Sequence, residues 1–156
     1  MLRRIIALPL LVFSFFLASS VFAEITITEI RSHTFPDSLA SDKTARLRVT
    51  WKNKLKGVRN TTVLGDYFNA GEFLLASDSN KTFTVNMSSV ADIPDVALNT
   101  FQFRYQNKTY TSFPVSGLPN PGSGTPAFVG MRILWKKTVE PGDIAPSYEI
   151  TITEDP

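Results

Sequence analysis

The sequence predicts an all-β fold, an antiparallel two-sheet sandwich, on three observations. Apolar and polar residues alternate with a period near two almost everywhere after residue 23. No window carries a capped apolar stripe of 3.6-residue period; the one candidate for a short helical turn, 88–97 around Val90, is interrupted by Pro94. Clusters of Gly, Pro, Asn and Asp separate the alternating segments at the spacing of turns. Seven or more short strands with aromatics on one face suit a sandwich of immunoglobulin-like or pilin-like type, with a small closed barrel as the structural alternative.

The elements follow in order. Residues 1–23 read as a secretory signal peptide: Arg3 and Arg4 give a positive start, 5–17 form an apolar run, and Val21-Phe22-Ala23 presents small residues where a signal peptidase cuts. The mature chain is then 24–156, a single domain, beginning at Glu24. Ile25 and Ile27 alternate with Thr26 and Thr28 in a first strand that reaches Ile30. Leu47, Val49 and Trp51 alternate with Arg46, Arg48 and Thr50 in the next clear one, with Trp51 on its inward phase. Segments 63–68 and 72–76 are expected as shorter strands split by Asn69-Ala70-Gly71. Phe83, Val85 and Met87 mark a further strand, and Phe101, Phe103 and Tyr105 another. The Gln106-Asn107-Lys108 turn should lead into a second hairpin arm over 109–115. The breaker-rich stretch 117–126 is expected to be a surface loop. Val129, Met131, Ile133 and Trp135 make a penultimate strand with Trp135 in the core, and Tyr148, Ile150 and Ile152 the last.

Composition narrows the function classes. The formal net charge of +2 includes Arg3 and Arg4, so the mature chain is close to neutral. There is no cysteine, which excludes a disulfide scaffold and a lipid-bearing cysteine at the cut, and leaves stability to packing and ladder bonds. No segment after Ala23 approaches the roughly 20 uncharged apolar residues of a membrane span, so no integral span is expected after cleavage. The expected location is outside the cytoplasm: periplasm, cell surface or medium.

A search for reaction chemistry returns nothing. The single histidine, His33, lacks a Gly-x-Ser-x-Gly turn and reads as an ordinary exposed loop residue. One His without Cys does not make a zinc site. The acidic pairs Asp92/Asp95, Glu140/Asp143 and Glu154/Asp155 sit in turn-like or terminal settings where Asp serves turns. No phosphate-cradling glycine motif occurs. No enzyme, cofactor or metal is therefore expected. Asn60, Asn80, Asn86 and Asn107 each begin an Asn-x-Ser/Thr triplet, read as unmodified because the leader suits bacterial export.

One charge pattern rises above this background. Arg46, Arg48, Lys52, Lys54 and Lys56 all fall on even positions while Leu47, Val49, Trp51 and Leu55 fall on odd ones, and Arg59 extends the run. A continuous strand would carry a cationic ladder on one face, suited to an anionic glycan, lipid or other polyanion. The plainer reading is a solvated face whose charges discourage edge-to-edge aggregation; near-neutral net charge and the absence of an interleaved aromatic stripe favour it.

The C-terminal third also carries a likeness. Phe128-Val129-Gly130-Met131-Arg132-Ile133, then Glu140-Pro141-Gly142-Asp143, then Tyr148-Glu149-Ile150-Thr151-Ile152-Thr153 resembles the closing pattern of secreted fimbrial-subunit and spore-coat-U-like domains. Gly71-Glu72-Phe73 and Lys81-Thr82-Phe83-Thr84-Val85 are similar, more loosely, to their middle strands. The resemblance implies an adhesive or structural subunit that polymerises by strand addition with subunits of the same or a related kind, served by a periplasmic chaperone and an outer-membrane usher. Placed to donate or to form a subunit interface are Glu24, Ile25, Ile27 and Ile30 at the start of the mature chain and Tyr148, Ile150 and Ile152 at its end. This chain departs from the pattern in lacking a disulfide and in ending Glu154-Asp155-Pro156.

Overall fold

The computed structural model describes residues 24–40, 43–90, 93–136 and 146–156. The expected signal segment 1–23, the expected Glu140-Pro141-Gly142-Asp143 turn and Asp92 lie outside the described residues. What is described is all-β, with twelve strands, every pairing antiparallel.

The larger sheet is organised by its longest strand, β11 (Thr125–Trp135). One edge of β11 is lined by β8 (Val96–Tyr105). Its other edge is shared: β6 (Gly71–Ala76) pairs with 125–129, and β3 (Ala45–Thr50) pairs with 131–135. Outside these lie β1 (Thr26–Arg31) on β6, β4 (Lys54–Arg59) on β3 and β9 (Lys108–Tyr110) on β8. The smaller sheet places β7 (Phe83–Ser89) between β10 (Val115–Leu118) and β12 (Tyr148–Glu154). A two-stranded ribbon joins β2 (Ser38–Ala40) to β5 (Thr61–Val63).

Alternation decides which face each strand buries. In β11 the odd residues Ala127, Val129, Met131, Ile133 and Trp135 are buried, and in β7 Phe83, Val85 and Met87 are. They meet Leu47, Leu75, Leu98, Phe103 and Leu118 in one core to which both larger sheets contribute, which is how a sandwich packs. Phe83 meets the Tyr105 ring edge to face at 5.3 Å, and the fully buried Tyr105 donates its hydroxyl to the Pro119 carbonyl at 2.8 Å.

Several sequence expectations change. The segment 109–115 is not one hairpin arm: β9 ends at Tyr110, and the chain crosses to the smaller sheet as β10. The expected loop 117–126 gives up both ends to strands, because Leu118 is an anchor 1 % exposed and β11 already begins at Thr125. In place of a strand over 63–68, β5 ends at Val63. No helix forms among the described residues of 88–97. His33 is not an exposed loop residue: its ring packs edge-on to Phe35 at 4.7 Å and to Tyr148 at 6.4 Å.

Trp51 is the clearest correction. It leaves the inward phase because β3 ends at Thr50, and the turn 51–53 folds over β11. Gly130 permits this: a Cβ there would lie 2.4 Å from the Trp51 nitrogen. Trp51 is therefore half-buried outside the core, while Trp135 is a core residue.

Candidate anion-binding face

The face of the larger sheet turned away from the core carries the basic residues. The cationic ladder does not run along one strand. It is folded into a hairpin, because the chain reverses through 51–53 with Asn53 in the left-handed region (φ 53°), a three-residue turn typical of such connections. The Asn53 amide nitrogen donates to the Thr50 carbonyl at 2.9 Å, and its side-chain oxygen accepts from the Ala70 nitrogen at 2.9 Å, which ties the turn to the start of β6.

Residues directly opposed in an antiparallel pair share a face. The register opposes Thr50 to Lys54, Arg48 to Lys56 and Arg46 to Arg59. Arg59 is odd-numbered, so an undisturbed strand would send it to the other side. A bulge in this register, at the place where Gly57 adopts φ 63°, resets the phase and returns it to the basic face. On the opposite side of β3, Arg132 of β11 is the partner of Arg48, and Leu134 is the partner of Arg46. Two cross-strand rows result, Lys56–Arg48–Arg132 and Arg59–Arg46–Leu134.

The surroundings of these cations differ. Arg132 Nε donates to Asn99 Oδ1 at 2.6 Å, which fixes its guanidinium over β8. Arg46 is half-buried and its Nε–H has no acceptor among the described residues. Beyond these rows, two cations approach the Trp51 ring, the Arg104 guanidinium carbon at 4.7 Å and Lys52 Nζ at 5.1 Å from its centroid. The Arg104 guanidinium is steadied by the Asn107 backbone carbonyl and by its side-chain oxygen. Among the described residues the ion pairs are Arg31–Glu72 at 2.6 Å and Lys136–Asp95 at 2.7 Å, so neither row meets a carboxylate.

Of the residues expected on the ladder, Arg46, Arg48, Lys54 and Lys56 come together on the hairpin, and Lys52 sits apart at the turn beside Trp51. Arg132 and Arg104 were missed. Both lie in strands whose alternation was legible, but nothing local announces that β11 and β8 would lie beside β3 and its turn.

The expected strand-donor residues occupy mixed positions. Ile25 is buried in the core, whereas Ile27 and Ile30 are 43 % and 58 % exposed. The segment pairs with β6 of its own domain, as the outermost strand of that side of the sheet. Tyr148, Ile150 and Ile152 are half-buried on β12 and pack against the core. Burial, with the Glu29 charge adding to it, pushes the Tyr148 hydroxyl up to about 12.

Burial lowers His33 to about 4, so its imidazole stays neutral through ordinary pH, and its Nε2 has no hydrogen-bond partner among the described residues. Asp155, expected as a turn or terminal acid, accepts from the Thr84 and Thr82 hydroxyls at 2.6 and 2.7 Å and from the Gly117 nitrogen at 3.1 Å. Those bonds hold its carboxyl below the usual value. Glu154 accepts from Ser79 and Ser77 at 2.5 and 3.2 Å. Both acids thus fasten the last strand. Among the described residues no three His, Cys, Asp or Glu side chains converge as a metal site.

No family model, no curated protein and no solved structure matches the chain.

Proposed function

We propose that the chain is an exported, non-catalytic β-sandwich domain of immunoglobulin-like type that binds an anionic glycan or lipid through the basic face of its larger sheet. The observation that carries this reading is the row Lys56–Arg48–Arg132, adjoining Arg59–Arg46, without a carboxylate counterpart among the described residues. Protection of a sheet edge accounts for lysines on β4, which is an edge strand. It does not account for Arg132, which lies on the central strand β11. Like charges opposed across strands destabilise a sheet, so their retention is better explained by an anion that spans them.

The test is retention of the mature protein, 24–156, on heparin and on immobilised lipopolysaccharide across a salt series. Binding that weakens steeply as salt rises, and that drops in R48Q and K56Q, supports the reading. Retention equal to that of a neutral protein of the same size, at every salt concentration, overturns it.

A second reading is favoured by β1. Its six residues are all exposed, and β6 is its one ladder partner among the described residues. A fimbria-like subunit could add a neighbour's strand at that edge, with a periplasmic chaperone and usher delivering it. Light scattering of the mature chain with and without 24–30 decides: oligomers that vanish with the deletion support strand addition, and a monomer in both forms removes it.

A further inference from the structure

The basic face contains a built recess, and its chemistry is more specific than a general attraction for polyanions. A cleft of about 330 Å³ opens at one end of the β3–β4 hairpin, lined by Lys43, Thr44, Arg46, Arg59, Asn60 and Leu134. Arg46 and Arg59 are directly opposed in the ladder and converge on it. Asn60, with φ 52°, donates its side-chain amide to the Thr44 carbonyl at 2.9 Å, closing the hairpin's open end. Leu134, the partner of Arg46 on β11, supplies an apolar wall. Among the described lining residues there is no carboxylate.

Two features of this cleft are unfavourable in the free protein. Two arginines are opposed across adjacent strands, and the Arg46 Nε–H is buried with no acceptor among the described residues. A single oxyanion relieves both, because it neutralises the pair and offers acceptor oxygens to planar donors that suit bidentate geometry. A volume of this size also lies at the small end of ligand pockets. It holds a charged group together with the sugar or glycerol unit that bears it.

We propose that the Arg46–Arg59 cleft is a subsite for one tetrahedral oxyanion, a phosphate or sulfate ester, carried on the polyanion. This rests on the polyanion reading above, and deepens it by naming the group recognised. The rest of the polymer then continues along the face to Arg48, Lys56 and Arg132, one rung or about 7 Å further along the strands.

The experiment follows the Arg46 Nε–Hε resonance of the mature protein by NMR during titration with inorganic phosphate and with inorganic sulfate. In parallel, the affinities for heparin and for polyphosphate are measured on wild type, R46Q, R59Q and the R48Q/K56Q double variant. The expected result is a saturable shift of the Arg46 signal, lost in R59Q, and at least tenfold weaker polymer binding in R46Q and R59Q. A preference for polyphosphate marks a phosphoryl group as the one recognised, and a preference for heparin marks a sulfate group. R46M supplies a signature that a purely structural arginine would not give. It should melt higher than wild type in anion-free buffer, because the unpartnered donor is gone, while losing any melting increment from added anion.

Polymer binding that needs Arg48 and Lys56 while the Arg46 signal stays still and R46Q binds normally overturns the cleft and leaves the broader reading intact. A saturable Arg46 shift with free phosphate but no polymer binding keeps the cleft and removes the polyanion. Neither response removes both.

Discussion

Substituting Gly130 by alanine tests the packing that builds the basic face. The added Cβ would lie 2.4 Å from the Trp51 nitrogen, 2.7 Å from the Thr50 carbonyl carbon and 2.8 Å from the Val49 oxygen. All three are backbone atoms, so no side-chain rotation relieves the clash. Ordinary contact requires the turn to retreat by roughly 1 Å, in a protein interior packed as densely as an organic crystal. Overpacking of this kind costs about 1–3 kcal/mol. The retreat also strains the Asn53–Ala70 bond and the Met131–Val49 rung, and each net hydrogen bond lost adds about 1 kcal/mol. The expected total is about 3 kcal/mol, seen as a lower urea midpoint at unchanged m-value. Gly65→Ala is the control, since nothing lies within 4 Å of its added carbon. It should stay within about 0.5 kcal/mol of wild type, as surface changes do. A Gly130→Ala midpoint equal to that of wild type would refute the close approach of the turn to β11, and with it the placing of Trp51 against Arg104.

Trp135→Ala should cost about 3–5 kcal/mol, as truncation of a large core aromatic does, while Trp51→Ala should cost clearly less; paired urea curves compare them. His33 is lowered to about 4 in the fold against 6.5 in the open chain, so the unfolded state takes up its proton first. Stability is unaffected above 6.5 and falls as pH drops from 6.5 towards 4, by about 3 kcal/mol in all; urea midpoints of wild type and His33→Phe at pH 7 and 4.5 isolate that slope. Asp155 acts in the same sense at lower pH, its stabilising contribution present above its ordinary value and lost on acidification through the lowered one. Asp155→Asn should speed amide exchange at Gly117, whose nitrogen donates to that carboxylate, and unchanged exchange would remove the fastening role.

How much was legible in the sequence depends on how local the cause is. Period-two alternation in β3, β7, β11 and β12 is a property of each strand alone, so the inward residues Leu47, Val85, Met131 and Ile133 could be read directly. The ends of elements were less legible, because Leu118 and Tyr110 are assigned to different sheets by tertiary packing that turn residues do not encode. The basic residues on even positions were visible, but the geometry that makes a site of them was not. A bulge beside Gly57 changes the phase of Arg59, and a close approach at Gly130 decides where Trp51 goes. Arg132 joins the face only because a strand some eighty residues further along pairs with β3.

These three non-local events act on a single surface, and their energetic signs agree. Each places cations closer together than a free protein has reason to. Arg46 and Arg59 are opposed, Arg48 lies between Lys56 and Arg132, and the Arg46 Nε–H is buried without an acceptor. A fold selected for stability alone has cheap escapes here, since a Gln, Thr or Glu at any one of these exposed or half-buried strand positions would lower the repulsion and still fit a pleated surface. The unfavourable arrangement is concentrated on two adjacent rungs beside a cleft, as the proposed binding surface requires and a merely solvated one does not. The proposed oxyanion would offset strain of this kind, so the free protein should gain more melting temperature from it than its open-face lysines alone would give.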